Sequence, residues 1–414
     1  MDQKPKLTEK QYYVVFAFVT SLFMLWGIAI TMGDGLNKHF QNVLGVTKSQ
    51  SGLVQLSIFG AYFIMGIPAG LFMKKYGYKS GVLLGLALYA LGAFLFVPAA
   101  ESVSFGFFRI ALFVLACGLA TLETVAHPFI ASLGSQKSSD QRVNFGQTFN
   151  GIGAVVGPLI VSTFIFSGDD NSQSAGMDKV KLVYIAIGCV ITLVAIIFSF
   201  IKVDKNLTDP HVIATDTYAI AAEEKPSSKL IHQKHFVFAA VAQLFNVAAQ
   251  GGTWAFFINY GHEVLGLSDA VATNYFSISM VLMMLGRIVG TALMRYVIAP
   301  HKLLTIFAGG SILMCVIIAQ GLGWVSFTAL LMLNFFFSIM FPTIFSLGLK
   351  DLGKHTEQGS SFIVMGVVGG AIFPYFMGKI ANTDVAASYY LPIICYTVIF
   401  FFAFLYPKLN KNAA

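Results

Sequence analysis

Apolar runs of about 20 residues recur along nearly the whole 414-residue chain. This is the length that an α-helix needs to cross roughly 30 Å of hydrocarbon. The chain is 57% hydrophobic and only 11% charged, and its mean hydropathy is +0.75. These values exclude an ordinary soluble globular protein, and the sequence predicts an all-α polytopic membrane protein.

Twelve membrane spans are predicted, and the longest polar break, 202–234, separates the sixth from the seventh. The spans are expected at 11–33, 50–73, 81–100, 106–133, 144–167, 181–201, 236–260, 271–295, 303–320, 323–349, 359–380 and 388–406. We therefore expect two pseudo-symmetric six-helix bundles, 1–201 and 235–414, joined by a cytoplasmic linker at 202–234.

An internal repeat supports two related halves. The strings "HPFIASLG" (127–134) and "FPTIFSLG" (341–348) agree at Pro, Ile, Ser, Leu and Gly. Parallel repeats of this kind are common in secondary transporters. The same offset places Phe337 opposite Glu123, so the second half is expected to lack the equivalent carboxylate.

The basic residues predict the topology. With the N-terminus inside, the inside segments hold about three times as many Lys and Arg residues as the outside ends. We expect a multi-pass protein of the cell (inner) membrane with both termini in the cytoplasm. The first run is too long for a signal-peptide core and should remain as an anchor. The net charge of +7 follows this loop pattern, so no nucleic-acid partner is expected.

The cysteines and the known catalytic motifs give no sign of an enzyme. All four cysteines fall within predicted spans and lack metal-ligand or CxxC spacing, so we expect no disulfide, no metal and no cofactor. The chain has no HExxH or paired aspartate motif either.

Glu123, in "ATLETVAHPF", lies in the middle of the fourth predicted span. An ionised side chain at the bilayer centre costs about 2.5–3.5 kcal/mol, and such residues usually face a cavity on an ion or proton pathway. Desolvation favours the neutral form of a carboxyl group, which suits a proton carrier. The structural alternative is a neutral carboxyl that holds helices together. Asp34 lies at the outer margin of the first predicted span.

The sequence allows two roles for each of two further polar residues. His127 shares a helix face with Glu123 four residues earlier, so it could relay protons or simply bond to a neighbouring helix. Arg287, in "MMLGRIVGT", could pair with an internal carboxylate or extend its charge to the membrane surface.

Amides and tryptophans form the second signal. Sugars need two-sided hydrogen-bonding groups and aromatic faces, which amides and indoles supply. Helix-to-helix hydrogen bonding is the alternative role for each amide. The residues concerned are Trp26, Gln147, Asn150, Gln243, Asn246, Gln250, Trp254 and Asn259.

Several long strings resemble the fucose, galactose and glucose proton symporter family of the major facilitator superfamily. They are "LWGIAITMGDGLNKHFQ" from Leu25, "GAYFIMGIPAGLFMKKYGYKSG" from Gly60, "LETVAHPF" from Leu122, "QTFNGIGA" from Gln147 and "FPTIFSLGLKDLGKHTEQGSSFIVM" from Phe341. The resemblance covers almost the whole chain and implies the major facilitator fold.

The resemblance also implies roles for individual residues. The two transport carboxylates of the family fall on Asp34 and Glu123, which implies proton coupling and sugar recognition there. The amides of the fifth span match Gln147 and Asn150, and the cavity tryptophans match Trp26 and Trp254.

The chain departs from the family pattern at three places. Ile30, Thr31 and Gly33 stand in a stretch that holds several asparagines in fucose-type members, and His127 replaces an asparagine before proline. Lys74 takes the place of an acidic residue in the loop after the second span. The first two departures fall where sugar selectivity or the proton route would be set, so the sugar itself stays open.

The sequence as a whole predicts a proton-coupled symporter, acting as a monomer, that imports a monosaccharide by alternating access. The expected proton-coupling residues are Asp34, Glu123 and His127. The expected sugar-binding residues are Trp26, Thr31, Asp34, Glu123, Gln147, Asn150, Gln250, Trp254 and Asn259. The sugar is expected to be glucose or galactose ahead of fucose. The alternatives are a sodium-coupled or facilitative transporter of a related sugar, such as mannose or N-acetylglucosamine, and a membrane sugar sensor that transports nothing.

Overall fold

The computed structural model describes residues 7–135, 138–166, 173–203, 230–352 and 356–410. Most of the predicted linker, 204–229, lies outside the described residues. The described helices are α1 Tyr13–Leu44, α2 Lys48–Ser51, α3 Leu53–Glu101, α4 Phe105–Ser132, α5 Ser139–Ile160, α6 Gln173–Phe200, α7 Lys234–Ala255, α8 Phe257–Leu265, α9 Asp269–Tyr296, α10 Pro300–Ala319, α11 Trp324–Phe337, α12 Met340–Leu349, α13 Thr356–Met365, α14 Gly369–Ala381 and α15 Tyr390–Leu409. A π-helical turn, Val161–Ile165, extends α5.

The chain forms two compact units. The first comprises Met1–Gly45 and Gly60–Thr215, and the second comprises Val46–Phe59 and Asp216–Ala414. The segment Val46–Phe59, which contains α2 and the start of α3, therefore packs with the second unit rather than with the predicted first half.

The described residues contain eleven helices that are long and apolar enough to cross a membrane, where the sequence predicts twelve spans. The difference arises in α3, which joins the predicted second and third spans. Gly77 interrupts this helix with φ 82° and ψ 171°, a conformation that glycine adopts without steric cost. The two predicted spans are thus present on either side of Gly77.

The first helix continues well beyond its predicted end at residue 33. It ends at Leu44, where Gly45 takes the left-handed conformation typical of a helix C-terminus. Asp34 and Lys38 consequently lie inside α1, and both side chains are buried. The polar sequence after residue 33 is accommodated by burial within the first unit, which a hydropathy profile does not register.

Glycines bring α1 and α5 into backbone contact in the first unit. A Cβ atom at Gly27 would overlap the carbonyl oxygen of Asn150, and one at Gly153 would overlap that of Met24. Small residues permit this close approach between helices in a membrane. The contact fixes the two helices against each other along the stretch that carries several predicted site residues.

One break in the second unit coincides with a freed backbone carbonyl. The predicted tenth span divides into α11 and α12 at Ser338 and Ile339. Pro342 has no N–H to donate to the Ser338 carbonyl, the acceptor four residues earlier. Arg287 Nε donates to that carbonyl oxygen at 3.2 Å. Neither predicted role of Arg287, carboxylate pairing or extension to the surface, describes this contact.

An ion pair fastens α2 within the second unit. Lys48 Nζ donates to Glu263 Oε2 on α8 at 2.7 Å and to the Ala381 carbonyl at the end of α14 at 2.7 Å. A Cβ at Gly52 would meet the Pro374 backbone, so α2 and α14 also pack closely.

The α1–α5 contact yields a test. Replacement of Gly27 by alanine forces a methyl group against the Asn150 backbone, and overpacking of this kind costs about 1–3 kcal/mol. We expect Gly27→Ala to lower the thermal unfolding temperature of the detergent-purified protein. Gly60→Ala is the matched control, because a Cβ at Gly60 meets no atom within 4 Å. Equal melting temperatures for the two variants would contradict the packing described above.

Candidate transport site

A small, partly open pocket lies between α1 and α4 in the first unit. Its walls are Leu22, Phe23, Trp26, Leu122, Glu123 and Ala126. These residues recur at three- and four-residue intervals on both helices, so each helix turns one face toward the pocket. Glu123 is thus the single carboxyl group among the apolar and aromatic side chains that line the pocket.

Glu123 lies well inside α4, nine residues before its last residue, Ser132, and is half-buried. Opposite it, the Trp26 indole N–H donates a hydrogen bond to the hydroxyl of Tyr62 on α3. This bond satisfies the indole and fixes one aromatic wall of the pocket. Glu123 and Trp26 thus line the same pocket.

The His127 ring is engaged at both nitrogens. Its Nδ1 lies 2.9 Å from the backbone carbonyl oxygen of Glu123, and its Nε2 lies 2.7 Å from Nε2 of Gln147 on α5. Phe23 packs edge-on against the ring, with the centroids 5.0 Å apart. The ring thus contacts the backbone of Glu123, whereas the predicted relay involves its carboxyl group.

Asn150 joins the two helices that meet beside the pocket. Its Nδ2 donates to the Phe23 carbonyl oxygen at 3.2 Å, across the glycine contact between α5 and α1. Gln147 lies one turn earlier on the same face of α5. Both predicted amides therefore lie next to the pocket wall.

Asp34 and Thr31 lie elsewhere on α1. Asp34 follows Trp26 by eight residues, which is about 12 Å along the helix, and it does not line the pocket. Thr31 is buried, donates to the Gly27 carbonyl at 3.0 Å and packs against Gly157 of α5. Thr31 therefore contributes to the helix contact in this structure.

In the second unit, Trp254 Nε1 donates to Asn334 Oδ1 at 2.9 Å, and its ring lies 6.0 Å from that of Phe337. Phe337, the repeat position opposite Glu123, is buried against an aromatic partner. Asn259 Nδ2 lies 3.4 Å from Glu263 Oε1, and Gln250 is half-buried on α7.

Three residues of these surroundings were not predicted as site residues. Tyr62 and Asn334 hold the two tryptophans, and Lys38 is buried one helical turn after Asp34. Because the first predicted span ends at residue 33, the sequence predicts that Lys38 lies at an outside end. The spacing of four residues between Asp34 and Lys38 was the available signal, because it places an acid and a base on one helix face.

Comparison with known proteins identifies the family. A profile described as Major Facilitator Superfamily matches residues 13–374. The chain belongs to the major facilitator superfamily. The predicted fold class is confirmed, and the chain is a membrane transporter rather than an enzyme.

Relatives within the superfamily are similar over nearly their full length. The chain is 37% identical to the L-fucose-proton symporter of Escherichia coli (strain K12) over 413 residues, which cover 95% of this chain and 93% of the relative. It is 34% identical to the glucose/galactose transporter of Brucella abortus biovar 1 (strain 9-941) over 405 residues, which cover 97% and 96%.

Solved structures of superfamily members are also similar to this chain. The crystal structure of FucP in the outward conformation matches with a TM-score of 0.67 and 36% identity, over 96% of this chain and 99% of that one. The D-xylose-proton symporter matches with a TM-score of 0.74 over 96% of this chain and 97% of that one, and its 15% identity shows the fold alone.

The positions of Asp34 and Lys38 predict a charge pair. Removing one member of a buried pair leaves an uncompensated charge and costs about 3–5 kcal/mol, whereas removing both is often neutral. We expect Asp34→Asn and Lys38→Met each to lower the melting temperature more than the double variant does. The exposed pair of Lys181 and Glu101 is the control, and its removal should change the melting temperature little. Additive losses at 34 and 38 would rule out the pairing.

Proposed function

We propose that the protein is a proton-coupled symporter that imports a monosaccharide by alternating access. The observation that carries the proposal is the position of Glu123, a carboxyl group well inside a membrane helix on the wall of a pocket that it shares with Trp26. A carboxyl group in such surroundings can hold a proton while water is excluded and release it when water returns. A tryptophan wall suits the apolar face of a sugar ring.

The relatives support the substrate class. Two of them are named an L-fucose-proton symporter and a glucose/galactose transporter, and the chain is similar to both at 37% and 34% identity. We therefore propose a hexose, glucose or galactose, with fucose as the nearest alternative. Thr31 and His127, two positions at which the chain departs from the family pattern, lie on α1 and α4, the helices that form the pocket.

We propose the following role for each site residue. Glu123 and Asp34 take up and release protons at two levels of the first unit. Trp26, Gln147 and Asn150 contact the sugar from the first unit, and Gln250, Trp254 and Asn259 are the corresponding candidates in the second. Thr31 acts through helix packing. We further propose that the protein acts as a monomer in the inner membrane with both termini cytoplasmic.

Replacement of Glu123 by glutamine tests the proton site. The amide keeps the shape and polarity of the side chain but cannot exchange a proton. In proteoliposomes, Glu123→Gln should lose sugar accumulation driven by a proton gradient, while exchange of labelled for unlabelled sugar at equal concentrations continues. Glu101→Gln is the matched control, because Glu101 is exposed at the end of α3. Undiminished accumulation by Glu123→Gln would refute the assignment.

Imposed gradients separate the remaining mechanisms. A proton gradient alone should drive accumulation of the sugar above its external concentration, and a sodium gradient alone should not. Accumulation with sodium alone would indicate sodium coupling. Equilibration of the sugar without accumulation would indicate a facilitator, and saturable binding without uptake would indicate a sensor. Competition by unlabelled glucose, galactose, fucose, mannose and N-acetylglucosamine then identifies the sugar.

A further inference from the structure

The contacts of His127 determine which of its nitrogens carries hydrogen. A backbone carbonyl oxygen can only accept a hydrogen bond, so His127 Nδ1, at 2.9 Å from the Glu123 carbonyl, must be the donor. In a neutral imidazole the other nitrogen is then an acceptor. The tautomer follows from the backbone contact and does not depend on the assignment of any side-chain amide.

This tautomer in turn orients Gln147. His127 Nε2 accepts a hydrogen bond and lies 2.7 Å from the Gln147 amide, so the NH₂ group, and not the carbonyl oxygen, must face the ring. The two ends of a glutamine amide are otherwise hard to distinguish, and hydrogen-bond logic of this kind is the basis for assigning them. The amide oxygen Oε1 is thereby directed away from the ring.

In this orientation the Gln147 amide oxygen is available to accept a hydrogen bond. Within the described residues, no side chain or backbone group donates to Gln147 Oε1, and Gln147 is only half-buried. Phe23, which lines the pocket, packs edge-on against His127 and holds the ring in place. The chain of contacts therefore begins at the α4 backbone and ends at the Gln147 amide, on the α5 side of a ring that packs against a pocket residue.

We propose that His127 is a positioning residue, which holds the Gln147 amide so that its oxygen accepts a hydrogen bond from a sugar hydroxyl. The inference rests on the proposed sugar transport and names the group by which the site recognises a hydroxyl donor. It assigns His127 a role in affinity for the sugar. The competing assignment is the proton relay predicted from the sequence. Loss of a relay would impair proton coupling, whereas loss of a positioning residue would not.

Transport kinetics distinguish the two roles. His127→Phe keeps an aromatic ring against Phe23 but removes both ring nitrogens, so the KM for the sugar should rise about 3- to 10-fold, as expected for one neutral hydrogen bond. The maximal rate and the number of protons carried per sugar should stay unchanged. His127→Gln restores an acceptor near the position of Nε2 and should return KM to within about twofold of the original protein.

A double variant tests whether His127 acts through Gln147. Gln147→Leu alone should raise KM, and adding His127→Phe should raise it no further, because the group that His127 positions is already absent. Additive effects would overturn the proposal. A loss of proton-driven accumulation in His127→Phe with KM unchanged would also overturn it and would establish a relay.

A measurement without transport keeps this inference separate from the proposed function. Nitrogen NMR of protein labelled at its histidine rings reports the tautomer, and the His127→Gln variant identifies the His127 signals. We expect a neutral ring protonated at Nδ1, with an Nε2 signal that moves in Gln147→Leu. A ring protonated at Nε2, or unmoved by Gln147→Leu, would overturn the proposal. Failure of sugar uptake with the expected NMR result would instead count against the proposed function alone.

Discussion

Backbone hydrogen bonding in a water-free environment is the constraint on which this structure depends. Inside a bilayer each unpaired N–H or C=O costs several kcal/mol, so a helix can be broken only where another group serves the freed atoms. The break before α12 follows this rule, since Arg287 bonds the carbonyl that Pro342 leaves unpaired. Arg287, for which the sequence suggests carboxylate pairing or extension to the surface, thus serves the backbone of a neighbouring helix.

The same constraint explains the composition of the first unit. Several of its polar residues lie where helices face one another, and the bonds of those residues join elements that packing already brings together. Asn150 bonds the α1 backbone beside the glycine contact, and Tyr62 bonds Trp26 across to α3. The site is therefore assembled from the groups that also hold the helices together, which fits the close spacing of small and polar residues on α1 and α5.

Hydropathy and repeat patterns predicted the architecture and the position of Glu123, because a charge inside an apolar run stands out. The repeat places Phe337 opposite Glu123, and the Phe337 ring packs against Trp254 in the second unit. The end of α1 could not be predicted, since burial within protein compensates for polarity and a single-residue scale does not measure it. The contact of Arg287 with a carbonyl and the orientation of Thr31 toward Gly157 depend on neighbouring helices, and nothing local in the sequence encodes them.

The backbone contact between α1 and α5 has a mechanical consequence. Two helices that interlock through Gly27 and Gly153 cannot slide past each other without steric collision. Trp26 on one helix and Gln147 on the other therefore keep their spacing and travel as one block. For the transport proposed above, access to the pocket must then be changed by elements other than this α1–α5 pair, which keeps one shape throughout.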